Sequence, residues 1–549
     1  MSEVTIETLS EDILLDVFRH LLAATPRIWP ILAWACRRWR QIIFASPLGL
    51  NLQLYCTHGM PVLKSLDCWP ALPVIVKYGG APNLDPPALE DDENIIAALK
   101  QSGRVSSIGL TVTSSLLEKL SSISEPLSEL EELVLLFQDN VKQIFPSTFL
   151  WGPRLRALHL TRIAFPSLLP LLLPCQDLVD LQLHEIPNSG YFSPEEFTSA
   201  LSGTPQLESL TLHLLSFPRR RSYLGLPPQP AERIVLAALT HLKYRGTSKY
   251  LEVFVARIEA PRLGDIEIRL FSQPTIDASQ LGRFIEQTEM HTSLIQANVE
   301  TSADAISISF ADLSASTPLR LQISCKQLDW QLSCMGQVCE QISPFLFPVS
   351  NLLLKTAQPL GERVDVNSEQ WLDLLHSFKF GGAQSFWVAG ELTADILCAL
   401  RPANEGNTAI LPSLRHVCVQ EPIKMDGPSW DSVQSFITSR WISGRPMEFK
   451  APSYQCHLCH GNSEDQLAVK RHLRDNHGYQ IFCCYCGEFE CTSGQRDPFR
   501  KHLGSKHPEI ARNDTHILQP SLTHFQLANL VNRHSFLCTP DIVLLSPTS

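Results

Sequence analysis

The sequence lacks the features that several classes of protein require. It holds no run of about 20 apolar residues, and its most apolar short stretch, Leu168 to Leu173, is broken by Pro170, so no membrane span is expected. Charge is sparse at 18% of residues and no basic excess exists; the formal net charge is -11 and the pI about 5.9. Nothing in this overall balance supplies the basic face that a nucleic-acid binder usually shows. Its longest basic run, Arg219-Arg220-Arg221, precedes Pro227, Pro228 and Pro230 and reads as a solvated loop rather than a localisation signal. The first residues, MSEVTIETLSEDILLDVF, are acidic and carry no basic leader before an apolar stretch, so no secretory signal is read. A cytoplasmic or nuclear setting is expected, in which the sixteen cysteines stay reduced unless they hold metal. No phosphate-binding glycine loop, nucleophile elbow or open zinc site is found, and nothing in sequence pairs carboxylates for acid/base work. The expectation is a chain that is not an enzyme.

What is present is ample apolar material. Apolar residues make up 44% of a 549-residue chain, too long for one core and too apolar for disorder. At the amino end Ser10 can cap a helix, Glu11 and Asp12 suit its first turn, and Ile13, Leu14, Val17, Phe18 and Leu21 recur at helical spacing. After Pro26 and Pro30 a second stripe runs through Ile31, Trp34, Ala35, Trp39 and Ile42, until Ser46-Pro47 stops it. So short a segment cannot bury these side chains by itself; it must pack on the body or on a partner.

The middle of the chain is periodic. Leucine-x-x-leucine-x-leucine, with tolerated substitutions, starts at Val105, Leu130, Leu155, Leu178, Leu207, Leu239 and Leu263, and weaker copies start at Val349, Ala383 and Leu414. Repeats of this length place alternating apolar residues of short strands in one core that neighbours must complete by stacking. Residues 272–348 are harder to phase, although Ile306/Ile308/Phe310 and Leu319/Leu321/Ile323 read as strands. Ser193-Pro194-Glu195-Glu196 is a capping box with proline at the first helical position, and Asn367 to Leu375 offers another capped helix. The position after the last leucine holds no asparagine, so no asparagine ladder is expected.

Residues 456–507 hold six cysteines and six histidines. Cys456-x2-Cys459-x12-His472-x4-His477 has the spacing of a Cys2His2 zinc finger, and Cys483-x2-Cys486-x15-His502-x4-His507 follows with a longer loop. Two zinc ions are expected. Cys484 and Cys491 leave the ligand register of the second set open. Seven Lys/Arg and seven Asp/Glu between Tyr454 and Glu509 make the module neutral. The base-reading positions, Asp465, Ala468 and Arg471, then Gln495, Pro498 and Lys501, suit DNA poorly. Protein docking or a structural cap is favoured over nucleic-acid binding.

Leu9-Ser10-Glu11-Asp12-Ile13-Leu14, then Val17-Phe18 and Leu21, then Ala35-Cys36-Arg37-Arg38-Trp39-Arg40, resembles an F-box, with Ser10 where proline is usual and Ala35 where valine is usual. With the repeats, and with Phe436 to Pro446 resembling the segment that closes the array, the chain is similar to the fungal F-box/leucine-rich-repeat proteins. The resemblance implies a non-catalytic substrate receptor of a cullin-RING (SCF-type) ubiquitin ligase. Leu9, Ile13, Leu14, Val17, Phe18 and Trp39 would make the contact with a Skp-family adaptor or its supporting core, and the repeats would present a surface to a protein client. A zinc-finger nucleic-acid-binding regulator is the alternative, and no membrane partner is expected. The expected fold is α/β: F-box-like helices at 8–50, a linker or first strands at 51–104, a leucine-rich-repeat solenoid at 105–450, two ββα fingers at 454–510 and a tail at 511–549.

Overall fold

The computed structural model describes residues 9–57, 62, 66, 71–78, 89–121, 123, 125–138, 152–164, 168–215, 233–290, 294–312, 317–342, 349–356, 368–378, 382–390, 392–400, 411–419, 428–442, 445, 447–450, 454–455, 462–463, 480–482, 490–492 and 542–543. These fall into two units, one of Met1–Ser293 with Thr317–Ile323, the other of Leu294–Ser316 with Ser324–Ser549.

The first unit opens with three helices, α1 (Glu11–Ala24), α2 (Trp29–Ala35) and α3 (Arg37–Ala45). Ser10 caps α1, its side chain accepting from the Ile13 N–H at 3.5 Å. The second apolar stripe is divided between two helices instead of running along one. Cys36 adopts an extended conformation and caps α3 itself, its Sγ accepting from the Trp39 N–H at 3.4 Å. Ile31 and Trp34 thereby leave the buried stripe, and Trp29, Leu32 and Ala33 fill it.

A ladder of parallel strands follows: β1 (Leu54–Thr57), β2 (Val74–Tyr78), β3 (Val105–Val112), β4 (Glu132–Phe137), β5 (Ala157–Thr161), β6 (Asp180–Ile186) and β7 (Ser209–Leu214). The short β8 (Ile234–Val235) pairs with β10 (Ile258–Glu259), while β9 (His241–Gly246) and β11 (Asp265–Phe271) continue the ladder. Register shows why the leucines recur. Cys56, Val76, Ile108, Leu133, Leu158, Leu181, Leu210, Leu242 and Ile266 stand opposite one another strand after strand, all buried. Two residues on, Tyr78, Leu110, Leu135, Leu160, Leu183, Leu212, Tyr244 and Ile268 form a second buried row. Strand alternation sends every intervening side chain to the opposite face. The ladder starts at β1 and β2, inside residues 51–104, so the first strands belong to the array and are not a separate linker.

Return segments carry helices. Helix Pro194–Leu201 begins with the full capping box read from sequence, Ser193 and Glu196 exchanging hydrogen bonds. Its Phe197 meets Phe254 of helix Ser248–Val255, ring centroids 5.2 Å apart. Glu252 of that helix, buried, accepts from the Gln280 and Leu281 N–H groups at 2.7 and 2.9 Å, holding the start of the next repeat's helix, Ser279–Glu286.

In the second unit β12 (Gln296–Thr301) and β13 (Ala305–Ala311) form an antiparallel hairpin. This is the physical reason that residues 272–348 resist phasing: a hairpin turn stands where the period requires a helical crossover. The strand β14 (Leu319–Ser324) pairs with β11, and its residues Leu319–Ile323 belong to the first unit. Parallel pairing runs on from β12 through β15 (Asn351–Thr356), β16 (Ser385–Ala389), β17 (His416–Val419) and β18 (Glu448–Lys450), stacking Ala297, Leu352, Phe386, Val417 and Phe449. Arg440, buried at the end of helix Pro428–Ile442, donates to the Leu414 carbonyl at 2.7 Å and the Leu411 carbonyl at 3.3 Å. This is the structural use of the Phe436–Pro446 segment: the arginine ties the last helix to the turn that feeds β17.

Candidate functional site

Two surfaces turn side chains away from the core. The first lies on the N-terminal helices. Leu14 and Phe18 are 0% and 1% exposed, and Phe18 meets the half-buried Trp39 edge-on at 5.1 Å between centroids. Arg38 reaches back to the Leu9 carbonyl at 2.5 Å and Arg40 to the Ala33 carbonyl at 3.0 Å. The Trp29 indole donates to the Gln53 carbonyl at 2.7 Å, and the Arg27 guanidinium lies over the Tyr55 ring, so the helices are fixed to the start of the ladder. The same helices turn other apolar side chains outward. Ile13, Val17 and Leu21, one helical turn apart on α1, are 50%, 40% and 41% exposed; Ile31 and Trp34 on α2 are 63% and 65% exposed. The six adaptor-contact residues read from sequence therefore divide by role. Leu14 and Phe18 form the module's core, Trp39 backs them, Ile13 and Val17 face outward, and Leu9 is partly exposed. Leu21, Ile31 and Trp34 join the outward set. Ile31 and Trp34 were hidden from sequence reasoning by the break at Cys36.

The second surface is the face of the ladder opposite its leucines. In one row stand Lys77, Gly109, Val134, His159, Gln182, Thr211, Lys243 and Glu267. Towards the strand ends stand Thr161 beside His184, then His213, Arg245 and Arg269 side by side. A directed hydrogen-bond chain crosses three strands. His184 Nε2 is 3.1 Å from Gln182 Oε1, which can only accept, so the His184 Nδ1 accepts from His213 Nδ1 at 3.0 Å. Gln182 then donates to Asp180 at 2.9 Å, and His159 Nε2 meets the same carboxylate oxygen at 2.7 Å. Burial lowers the pKa of His213 first, the nearby His184, Arg245 and Arg269 add to it, and the ring is pushed down to about 4. Burial and His159 also lower His184. Burial works to raise Asp180, but the hydrogen bond and charge of His159 and the donors from Ser209 and Gln182 outweigh it, leaving the carboxyl below its ordinary value. In the second unit Trp387 of β16 is exposed and stands in register with Leu353 on β15.

The ligands Cys456, Cys459, His472, His477, Cys483, Cys486, His502 and His507 lie outside the described residues. The strands that bracket the cysteine pairs are described. Antiparallel β19 (Tyr454–Gln455) and β20 (Asn462–Ser463) flank Cys456 and Cys459 in sequence, and antiparallel β21 (Gln480–Phe482) and β22 (Glu490–Thr492) flank Cys483 and Cys486. Among the described residues no group of three or more His, Cys, Asp or Glu is placed to hold a metal, and no helix is long and apolar enough to cross a membrane.

No family model matches the chain, and no curated protein matches it. Among solved structures, the leucine-rich repeat-containing protein LegL7 from Legionella pneumophila is similar at 9% identity, with 69% of this chain and 92% of that chain covered and a TM-score of 0.22. So loose a superposition bears no weight, and the repeat reading rests on the register of the ladder.

Proposed function

We propose that the chain is a non-catalytic F-box-type substrate receptor: its N-terminal helices bind a Skp-family adaptor of a cullin-RING ubiquitin ligase, and the open face of its ladder holds a protein client. The observation that carries the reading is the outward apolar row Ile13, Val17 and Leu21, with Ile31 beyond it, on helices whose own core is already filled by Leu14, Phe18, Leu22 and Ile43. Apolar side chains left in water at helical spacing are the usual mark of a helix that meets a partner. The sequence resemblance to an F-box across the same residues names the partner's class. The chain itself does no chemistry in this proposal. Two zinc ions belong to it as folding ligands of residues 454–510, held by Cys456, Cys459, His472 and His477 and by Cys483, Cys486, His502 and His507; the antiparallel strand pairs that flank both cysteine pairs in sequence support this.

The test is capture of a purified Skp-family adaptor by the purified full chain. Replacing Leu14 or Phe18 would disrupt the module's core, so the informative variant is Ile13→Asp/Val17→Asp. It should keep its melting temperature and lose roughly a hundredfold or more in affinity, since each charge would be placed in an apolar contact. Unaltered capture by this variant, or no capture by the parent chain, would overturn the proposal.

A further inference from the structure

We infer that the client end of the ladder, over β9, β11 and β14, takes an acidic peptide segment whose carboxylates or phosphates are bound by Arg245, Arg269, Lys243 and Arg320; this rests on the receptor reading above and names the client's chemistry.

The chain carries a net charge of -11, yet these three adjacent strands show four cations and two carboxylates, Asp265 and Glu267, on their outward face. Strand alternation places them there: Leu242 and Tyr244, Ile266 and Ile268, and Leu319, Leu321 and Ile323 point into the core, and Lys243, Arg245, Arg269 and Arg320 are all exposed. The two carboxylates offset only part of the patch, which keeps more cations than carboxylates. Glu267 is shared between Arg269, at 2.7 Å, and Lys243, at 3.9 Å. Arg245 has no ion pair among the described residues; its guanidinium lies over the Phe271 ring, 6.0 Å from the centroid. That leaves its planar edge open to an anion while the ring supports one face.

His213, Arg245 and Arg269 are direct register partners on neighbouring strands, so their backbones step by about 4.8 Å. At that spacing the Arg245 guanidinium, with its fork of donors, can meet a carboxylate or phosphate beside Arg269, whose Nε and one terminal nitrogen already donate to Glu267 at 2.9 and 2.7 Å. His213 and His184 bound the lane on the β6–β7 side, already hydrogen-bonded to each other, and add polar edges. Phe271, partly exposed beside Arg245, offers an apolar contact next to the anion site.

The experiment uses the full chain and fluorescein-labelled dodecapeptides of one backbone sequence carrying phosphoserine, glutamate, serine or lysine at the same three positions. The phosphoserine or glutamate peptide should bind, with affinity that weakens as salt rises, and the serine and lysine peptides should not. Binding of both anionic peptides identifies general acidity as the signal; binding of the phosphoserine peptide alone identifies phosphate. Arg245→Ala/Arg269→Ala should lower that affinity roughly tenfold or more. Arg245→Gln serves as the second variant should the double change disturb the melt. Ile13→Asp/Val17→Asp should leave peptide binding intact, so failure of the parent chain to capture the adaptor, with peptide binding retained, strikes the receptor reading and not this one. Anionic peptides that bind no tighter than the serine peptide, or as tightly to both arginine variants as to the parent, overturn the inference.

Discussion

Leu133, Leu158, Leu181 and Leu210 occupy successive strands at one register position, each with essentially no exposed surface. Leu158→Ala should therefore cost about 2–5 kcal/mol, read from chemical denaturation, because the neighbouring leucines above and below cannot collapse into the gap. These leucines were legible in sequence, since a period of strands fixes which side chains face the core. Glu252 and His213 were not legible, because their roles depend on partners brought from other repeats. They also make opposing demands on pH. Glu252 is pushed up to about 7, burial outweighing the Gln280 and Leu281 N–H donors. The folded state then holds the extra proton, so this contribution is full below the ordinary carboxylate value near 4.5 and is lost as pH rises through about 7. His213 is depressed from 6.5 to about 4, so its contribution is present above 6.5 and is lost as pH falls through about 4. Between these limits the two slopes oppose each other. Melting temperature followed from pH 5 to pH 7 should rise with pH more steeply in Glu252→Gln than in the parent, and less steeply in His213→Gln. Identical profiles for all three proteins would show that neither group titrates as placed.

Elements in this chain end where a side chain or a turn stops them. The capping box at Ser193 was readable because its residues are contiguous, and the structure reproduces it in both hydrogen bonds. The division of the second N-terminal stripe at Cys36 was not, because cysteine is a rare cap and the apolar spacing of Ile31, Trp34, Trp39 and Ile42 still fits one helix. The β12–β13 hairpin was invisible for a related reason: both strands carry the expected alternation, and pattern does not report direction. After β16 the chain turns at Gly390, whose φ of +94° lies where L side chains are strained, and a Cβ there would run into the Thr356 side chain. Gly390→Ala should destabilise the second unit by roughly 1–3 kcal/mol, measured by the urea midpoint. A neutral effect would mean that this turn relaxes freely.

At the scale of the whole molecule, three kinds of module share one chain: a helical head with an outward apolar row, a leucine-stacked ladder with a polar open face, and a cysteine- and histidine-rich segment. The head and ladder were largely legible, the first from helical spacing and the second from period. The polar relay from His213 to Asp180 was not, because its members become neighbours only through strand register. For the third module, metal analysis of the purified chain should give about two zinc ions, and Cys456→Ser should remove one. The central claim is that the helical head, and not the ladder, meets the adaptor. Hydrogen exchange of the full chain, with and without a purified Skp-family adaptor, tests this most directly. The account predicts new protection concentrated in residues 11–35, around Ile13, Val17 and Ile31, with the exchange of β3 to β11 unchanged. Protection appearing on the ladder instead, or no change anywhere at saturating adaptor, would contradict it.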